Sequence, residues 1–101
     1  MELSEILARA PGPFLEKEQD KLETVARAVV SRLSKHDDKL APLGTVALAG
    51  LLGGATDITS KWIRVTRQAG LLEGYFTKGK PARGTFGKPS YKWHNDPERL
   101  F

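Results

Sequence analysis

The sequence predicts a mainly helical α+β domain that closes with a β-hairpin. Three observations lead there. Apolar residues recur at spacings of three and four from Leu22 to Leu33. A second helical stripe joins Ile58, Trp62, Val65 and Ala69. Two β-prone runs, 74–77 and 90–93, flank a tip rich in Gly, Lys and Pro. With 101 residues, 40% of them hydrophobic, the chain is expected to form one domain around a modest core.

Residues 2–9 read as a short helix with Leu3, Ile6 and Leu7 on one side, ended by Pro11-Gly12-Pro13. A long helix is expected over 14–35. Leu15, Leu22, Val25, Ala26, Val29, Val30 and Leu33 form its apolar side, and Lys17, Glu23, Arg27 and Arg32 its polar side. His36-Asp37-Asp38 ends it, and Ala41-Pro42-Leu43-Gly44 connects onward. A helix over 45–52 follows, whose Ala47, Ala49 and Gly50 let a neighbouring helix approach. Gly53-Gly54 stops it. Thr56 or Asp57 is placed to cap the next helix, 58–69, through a side-chain oxygen. Gly70 closes that helix, and Leu71-Leu72 return to the core. Trp62 and Trp93 are expected in the core, with Tyr75 facing Tyr91 across the hairpin and Phe86 packing back on Tyr75.

Composition excludes several classes of function. Cysteine is absent, so no disulfide and no thiolate metal site forms. The first ten residues carry acids and no long apolar stretch, and do not read as a signal peptide. No apolar run approaches the roughly 18 residues of a membrane span, so no membrane partner is expected. A cytoplasmic, nucleoid-associated location fits these features. His36 and His94 are isolated and read as surface residues, with no metal. Ser60 has no neighbouring His to activate it, and neither a P-loop nor a dinucleotide fingerprint occurs. No catalytic residue, no cofactor and no enzymatic activity are expected.

Charge is unevenly distributed. Residues 1–55 hold seven basic and eight acidic residues, a net of −1. Residues 56–93 hold eight basic and two acidic, a net of +6, against +4 for the whole chain. A basic segment of this kind points to a polyanion. The hairpin tip, 78–89, gathers Lys78, Lys80, Arg83 and Lys88 with three glycines, two prolines and no acid. Glycine lets a backbone approach a phosphate closely, and proline favours extended chain.

The order helix, connector, helix, Gly turn, helix, Leu-Leu and basic hairpin resembles the winged helix-turn-helix family over residues 43–93. The most specific part is Gln68-Ala69-Gly70-Leu71-Leu72-Glu73-Gly74-Tyr75-Phe76, which is similar to the junction between recognition helix and wing in many regulators. The turn at Gly53-Gly54-Ala55-Thr56 is longer and richer in glycine than the common form. The resemblance implies one domain over 1–101: N-terminal helices in 1–40, a helix-turn-helix in 44–72, a wing in 73–93 and a tail in 94–101. It also implies a short strand in the connector.

By the same resemblance, helix 58–69 is a recognition helix in the major groove. Thr59, Ser60, Lys61 and Arg64 would contact bases, and Arg67 and Gln68 the backbone. Lys78, Lys80, Arg83, Lys88 and Lys92 of the wing would hold the phosphates or the minor groove. Lys78-Gly79-Lys80-Pro81 is similar to the Arg-Gly-Arg-Pro core of AT-hook minor-groove binders, with the more strongly hydrated lysine in place of arginine. The implied function is sequence-specific binding of double-stranded DNA, as a transcriptional repressor or regulator. The same features also fit a plasmid or viral partition or architectural DNA-binding protein, an RNA-binding module or a protein-interaction winged helix. The apolar face of 14–35 is wider than a small domain needs. Part of it, with residues 2–9, is expected to form a homodimer interface.

Overall fold

Leu22, Val25, Ala26, Val29 and Leu33 are all buried, and their spacing defines the longest helix of the molecule. The structure is a computed structural model and describes residues 2–36, 43–79 and 90–94. Within these, α1 spans Leu3–Ile6, a 3₁₀ turn spans Leu15–Glu18, and α2 spans Gln19–Ser34. Then come β1 (Leu43–Gly44), α3 (Thr45–Leu52), α4 (Thr56–Gln68), β2 (Phe76–Gly79) and β3 (Ser90–Trp93). The fold is therefore α+β and mainly helical, with one small antiparallel sheet in the order β1-β3-β2.

The helix expected over 14–35 is an α-helix only from Gln19. Its first turn is 3₁₀ and is separated from the α-helix by Glu18, whose backbone, at φ −115° and ψ 22°, is not α-helical. The Glu18 carboxylate accepts the Gly12 N–H at 3.1 Å and the Lys21 ammonium at 3.3 Å, which ties the Pro-Gly-Pro elbow to the helix start. That elbow turns α1 back onto the helices. Ile6 and Leu7 lie 3% exposed in the chain's own core, alongside the apolar face of α2. The residues expected to offer a two-fold interface are thus largely used within the chain.

α3 occupies the expected residues 45–52. Of its small residues only Ala49 is buried; Ala47 and Gly50 face outward. Gly53 and Gly54 both adopt positive φ, at 94° and 74°. Gly54 has a second constraint. A Cβ there would meet the Leu7 Cβ and the Thr59 hydroxyl, each at 3.2 Å. α4 then starts at Thr56 with Ala55 at its N-cap, and neither Thr56 nor Asp57 caps it with a side chain. The turn is braced from inside the helix instead: the Thr59 hydroxyl donates to the Gly53 carbonyl at 2.9 Å.

The buried side of α4 is rotated from the expected stripe. Thr59, Trp62, Ile63, Val65 and Thr66 are buried, Ile58 is half-buried and Ala69 is exposed. Two threonines can sit inside because each hydroxyl finds a main-chain acceptor, Thr66 donating to the Trp62 carbonyl at 2.6 Å. α4 ends at a Schellman turn. Gly70, at φ 84°, donates to the Arg67 carbonyl, and Leu71 donates to that of Thr66. The chain then reverses and Leu72 is fully buried, as expected.

The implied connector strand is present as β1, whose Leu43 and Gly44 pair with Trp93 and Lys92. β2 pairs with β3 through Phe76↔Trp93, Thr77↔Lys92, Lys78↔Tyr91 and Gly79↔Ser90. This register opposes Lys78, not Tyr75, to Tyr91. The aromatic contact in the hairpin is Phe76 edge-on to Tyr91, with ring centroids 5.6 Å apart. Both tryptophans are in the core as expected. The Trp62 indole N–H donates to the Arg9 carbonyl at 2.7 Å, and that of Trp93 to the Thr45 hydroxyl at 2.9 Å. His94 is not a surface residue. It is 2% exposed, and its N–H continues the ladder to the Tyr75 carbonyl. His36 is half-buried at the end of α2. Among the described residues, no helix is long and apolar enough to cross a membrane.

Candidate functional site

Burial of one side of α4 leaves the opposite side to solvent: Thr56 and Asp57 are exposed in its first turn, and Lys61, Arg64 and Gln68 follow at i, i+3 and i+7. Successive residues on such a row are neighbours on the helix surface. β3 runs beside this row. Strand alternation sends Tyr91 and Trp93 to the side that faces the helices and Lys92 to the other. Between the two elements lies an open groove of about 530 Å³, lined by Thr45, Ser60, Lys61, Arg64, Arg67, Gln68, Tyr91 and Trp93.

The groove lining is cationic, and among the described residues none of its charges is in an ion pair. Lys61, Arg64 and Arg67 carry three positive charges along it. Among the described residues the one ion pair within 4.0 Å is Lys21–Glu18, at the far end of the chain. The Arg67 guanidinium lies 3.8 Å above the Tyr91 ring centroid and 6.0 Å from that of Phe76. The Ser60 hydroxyl oxygen is buried at the groove wall and has no hydrogen-bond partner among the described residues.

Five of the six recognition-helix residues named from sequence therefore meet at one surface: Ser60, Lys61, Arg64, Arg67 and Gln68. Thr59 does not join them. It is fully buried, and its hydroxyl is committed to Gly53, so it braces the turn and presents nothing outward. Of the five cations assigned to the wing, Lys78 and Lys92 are described, and both are exposed. Lys78 pairs with Tyr91 and so shares the groove side of the sheet, whereas Lys92 emerges on the opposite side. Lys80, Arg83 and Lys88, with Phe86 and the resemblance to an AT-hook core, lie outside the described residues.

Sequence reasoning missed Thr45, Tyr91 and Trp93 as groove residues. The alternation in Ser90-Tyr91-Lys92-Trp93 carried the signal for the last two, since it separates both aromatics from Lys92. Nothing local to Thr45 marks it. The chain matches no protein-family model, no curated protein and no solved structure.

Proposed function

We propose that this chain is a winged helix-turn-helix protein that binds double-stranded DNA, as a site-specific transcriptional repressor or regulator. The observation that carries the reading is the row of unneutralised cations, Lys61, Arg64 and Arg67, along an open groove beside a β-hairpin. Like charges crowded on one helix face repel one another, and a polyanion relieves that repulsion while releasing its own counterions. The order α3, glycine turn, α4, hairpin, with β1 completing the sheet, supports the winged-helix assignment.

In this reading α4 enters the major groove. Lys61 and Arg64, exposed on its outer side, reach base edges, Arg by two parallel hydrogen bonds to guanine. Arg67, Gln68 and Lys78 hold the backbone of the duplex. Occupation of a promoter would block polymerase, and no cofactor or catalytic group is needed for that.

The test is a titration of a labelled duplex at several salt concentrations. With about four phosphate contacts per chain, the log–log slope of affinity against salt should be near −3.6 for one chain. For two chains bound together on one site, it should be near −7. Competition with duplex RNA of the same sequence should leave the complex largely intact. No binding at low salt, or a slope near zero, removes the reading and leaves a protein-interaction module.

A further inference from the structure

We infer that Arg67 is a sequence-independent anchor for the sugar–phosphate backbone and that Tyr91 is the positioning residue that holds it. This rests on the duplex-binding reading above and specifies how the groove grips one strand.

Arg67 sits in the last turn of α4, where the helix passes β3. Its guanidinium carbon lies 3.8 Å from the Tyr91 ring centroid and 6.0 Å from that of Phe76. Phe76 in turn sets the Tyr91 ring by an edge-on contact at 5.6 Å and leans on the buried Trp93 at 5.3 Å. The arginine is thus immobilised by aromatic faces and not by a carboxylate. The difference is chemical. A carboxylate would neutralise the charge and occupy the N–H fork. A ring face leaves the charge in place and occupies none of the five N–H donors with an acceptor oxygen. Among the described residues, none of these donors takes a hydrogen bond, and no acid lies within ion-pair distance.

A planar fork held rigid and charged fits an anion with two oxygens side by side, which a phosphodiester presents. Base reading is better placed elsewhere on the helix. Arg67 is half-buried with its guanidinium against Tyr91, whereas Arg64 and Lys61 are exposed about one and two turns nearer the start of the helix. Of the three cations in the groove, Arg67 is thus the one placed for the backbone.

The experiment measures affinity for a labelled pool of 20-base-pair duplexes of random sequence, across salt concentration, for the full chain and its variants. Arg67→Ala should weaken binding to the pool about tenfold and reduce the salt slope by about 1. Arg67→Lys keeps the charge and the slope but loses the fork, and should weaken binding severalfold. Tyr91→Leu should weaken binding severalfold in the wild-type background and have no further effect in Arg67→Ala. Tyr91→Phe, which keeps the ring face, should restore most of the loss. Equal effects of Tyr91→Leu with and without Arg67 overturn the positioning role. Full affinity in Arg67→Lys overturns the fork, and decides the matter if Tyr91→Leu does not fold. If the wild-type chain binds no duplex at low salt, the DNA reading and this inference fall together. If it binds but the double variant is additive, only the inference falls.

Discussion

Arg64 stands three residues from Lys61 and three from Arg67, on the exposed side of α4, with no acid to neutralise it among the described residues. Each like-charge neighbour at this spacing costs a helix about 0.2–0.5 kcal/mol. Removing Arg64 ends two such repulsions and replaces it with the best helix former. Arg64→Ala should therefore leave thermal stability unchanged or raise it by up to about 1 kcal/mol. The same change should weaken binding to a selected site and relax discrimination at one base position by about 1–3 kcal/mol. Melting curves and binding to a panel of point-substituted duplexes measure the two effects separately. A variant that melts earlier yet keeps the wild-type sequence profile removes Arg64 from base reading. Opposite signs for stability and binding are what distinguish a functional charge from an ordinary solvated one.

At the scale of elements, the turn between α3 and α4 aims the charged side of α4, and its glycines are constrained unequally. Gly54 needs a left-handed backbone and also lies against Leu7 and Thr59, whereas Gly70 needs the left-handed backbone alone and has nothing within 4 Å of its missing Cβ. Gly70→Ala should cost about 1–2 kcal/mol, the penalty of that conformation. Gly54→Ala should cost distinctly more, because the Cβ of Leu7 and the hydroxyl that braces the turn must also give way. Chemical denaturation of the two variants gives the ranking, and equal costs would mean that the packing of α1 against this turn is loose. The same elements show what was legible beforehand. α3 was readable to the residue because Gly44 and Gly53 bracket an uncharged, largely apolar run, and Leu72 because a paired leucine after a capping glycine has one place to go. The face of α4 was not, since Thr59 and Thr66 count as polar by composition and become core only when a main-chain carbonyl lies within reach. The placement of Arg67 on Tyr91 was also hidden. It depends on the register of a hairpin that forms after α4 in the chain, and no local pattern encodes it.

At the scale of the whole molecule, the groove belongs to no single element. Thr45 comes from the start of α3, the cations from α4, and Tyr91 and Trp93 from the central strand. The Trp93–Thr45 hydrogen bond joins residues 48 apart, and the Trp62–Arg9 bond joins residues 53 apart. Each spans elements that have no reason to meet in the unfolded chain. Unfolding therefore destroys the site, and any duplex that occupies the groove must stabilise the native state by linkage. At free duplex a hundred times the dissociation constant the gain is about 2.7 kcal/mol. For a domain of this size each kcal/mol moves the melting temperature by about 4–8 °C, so the midpoint should rise by roughly 10 °C or more. The rise should shrink as salt increases, in step with the loss of affinity, because both depend on the same phosphate contacts. Intrinsic emission from the two tryptophans gives the midpoint, since both indoles lie in the core that the groove is built on. A duplex that binds by titration yet leaves the midpoint unmoved would have to grip parts of the chain outside this folded core, and the groove would not be its site.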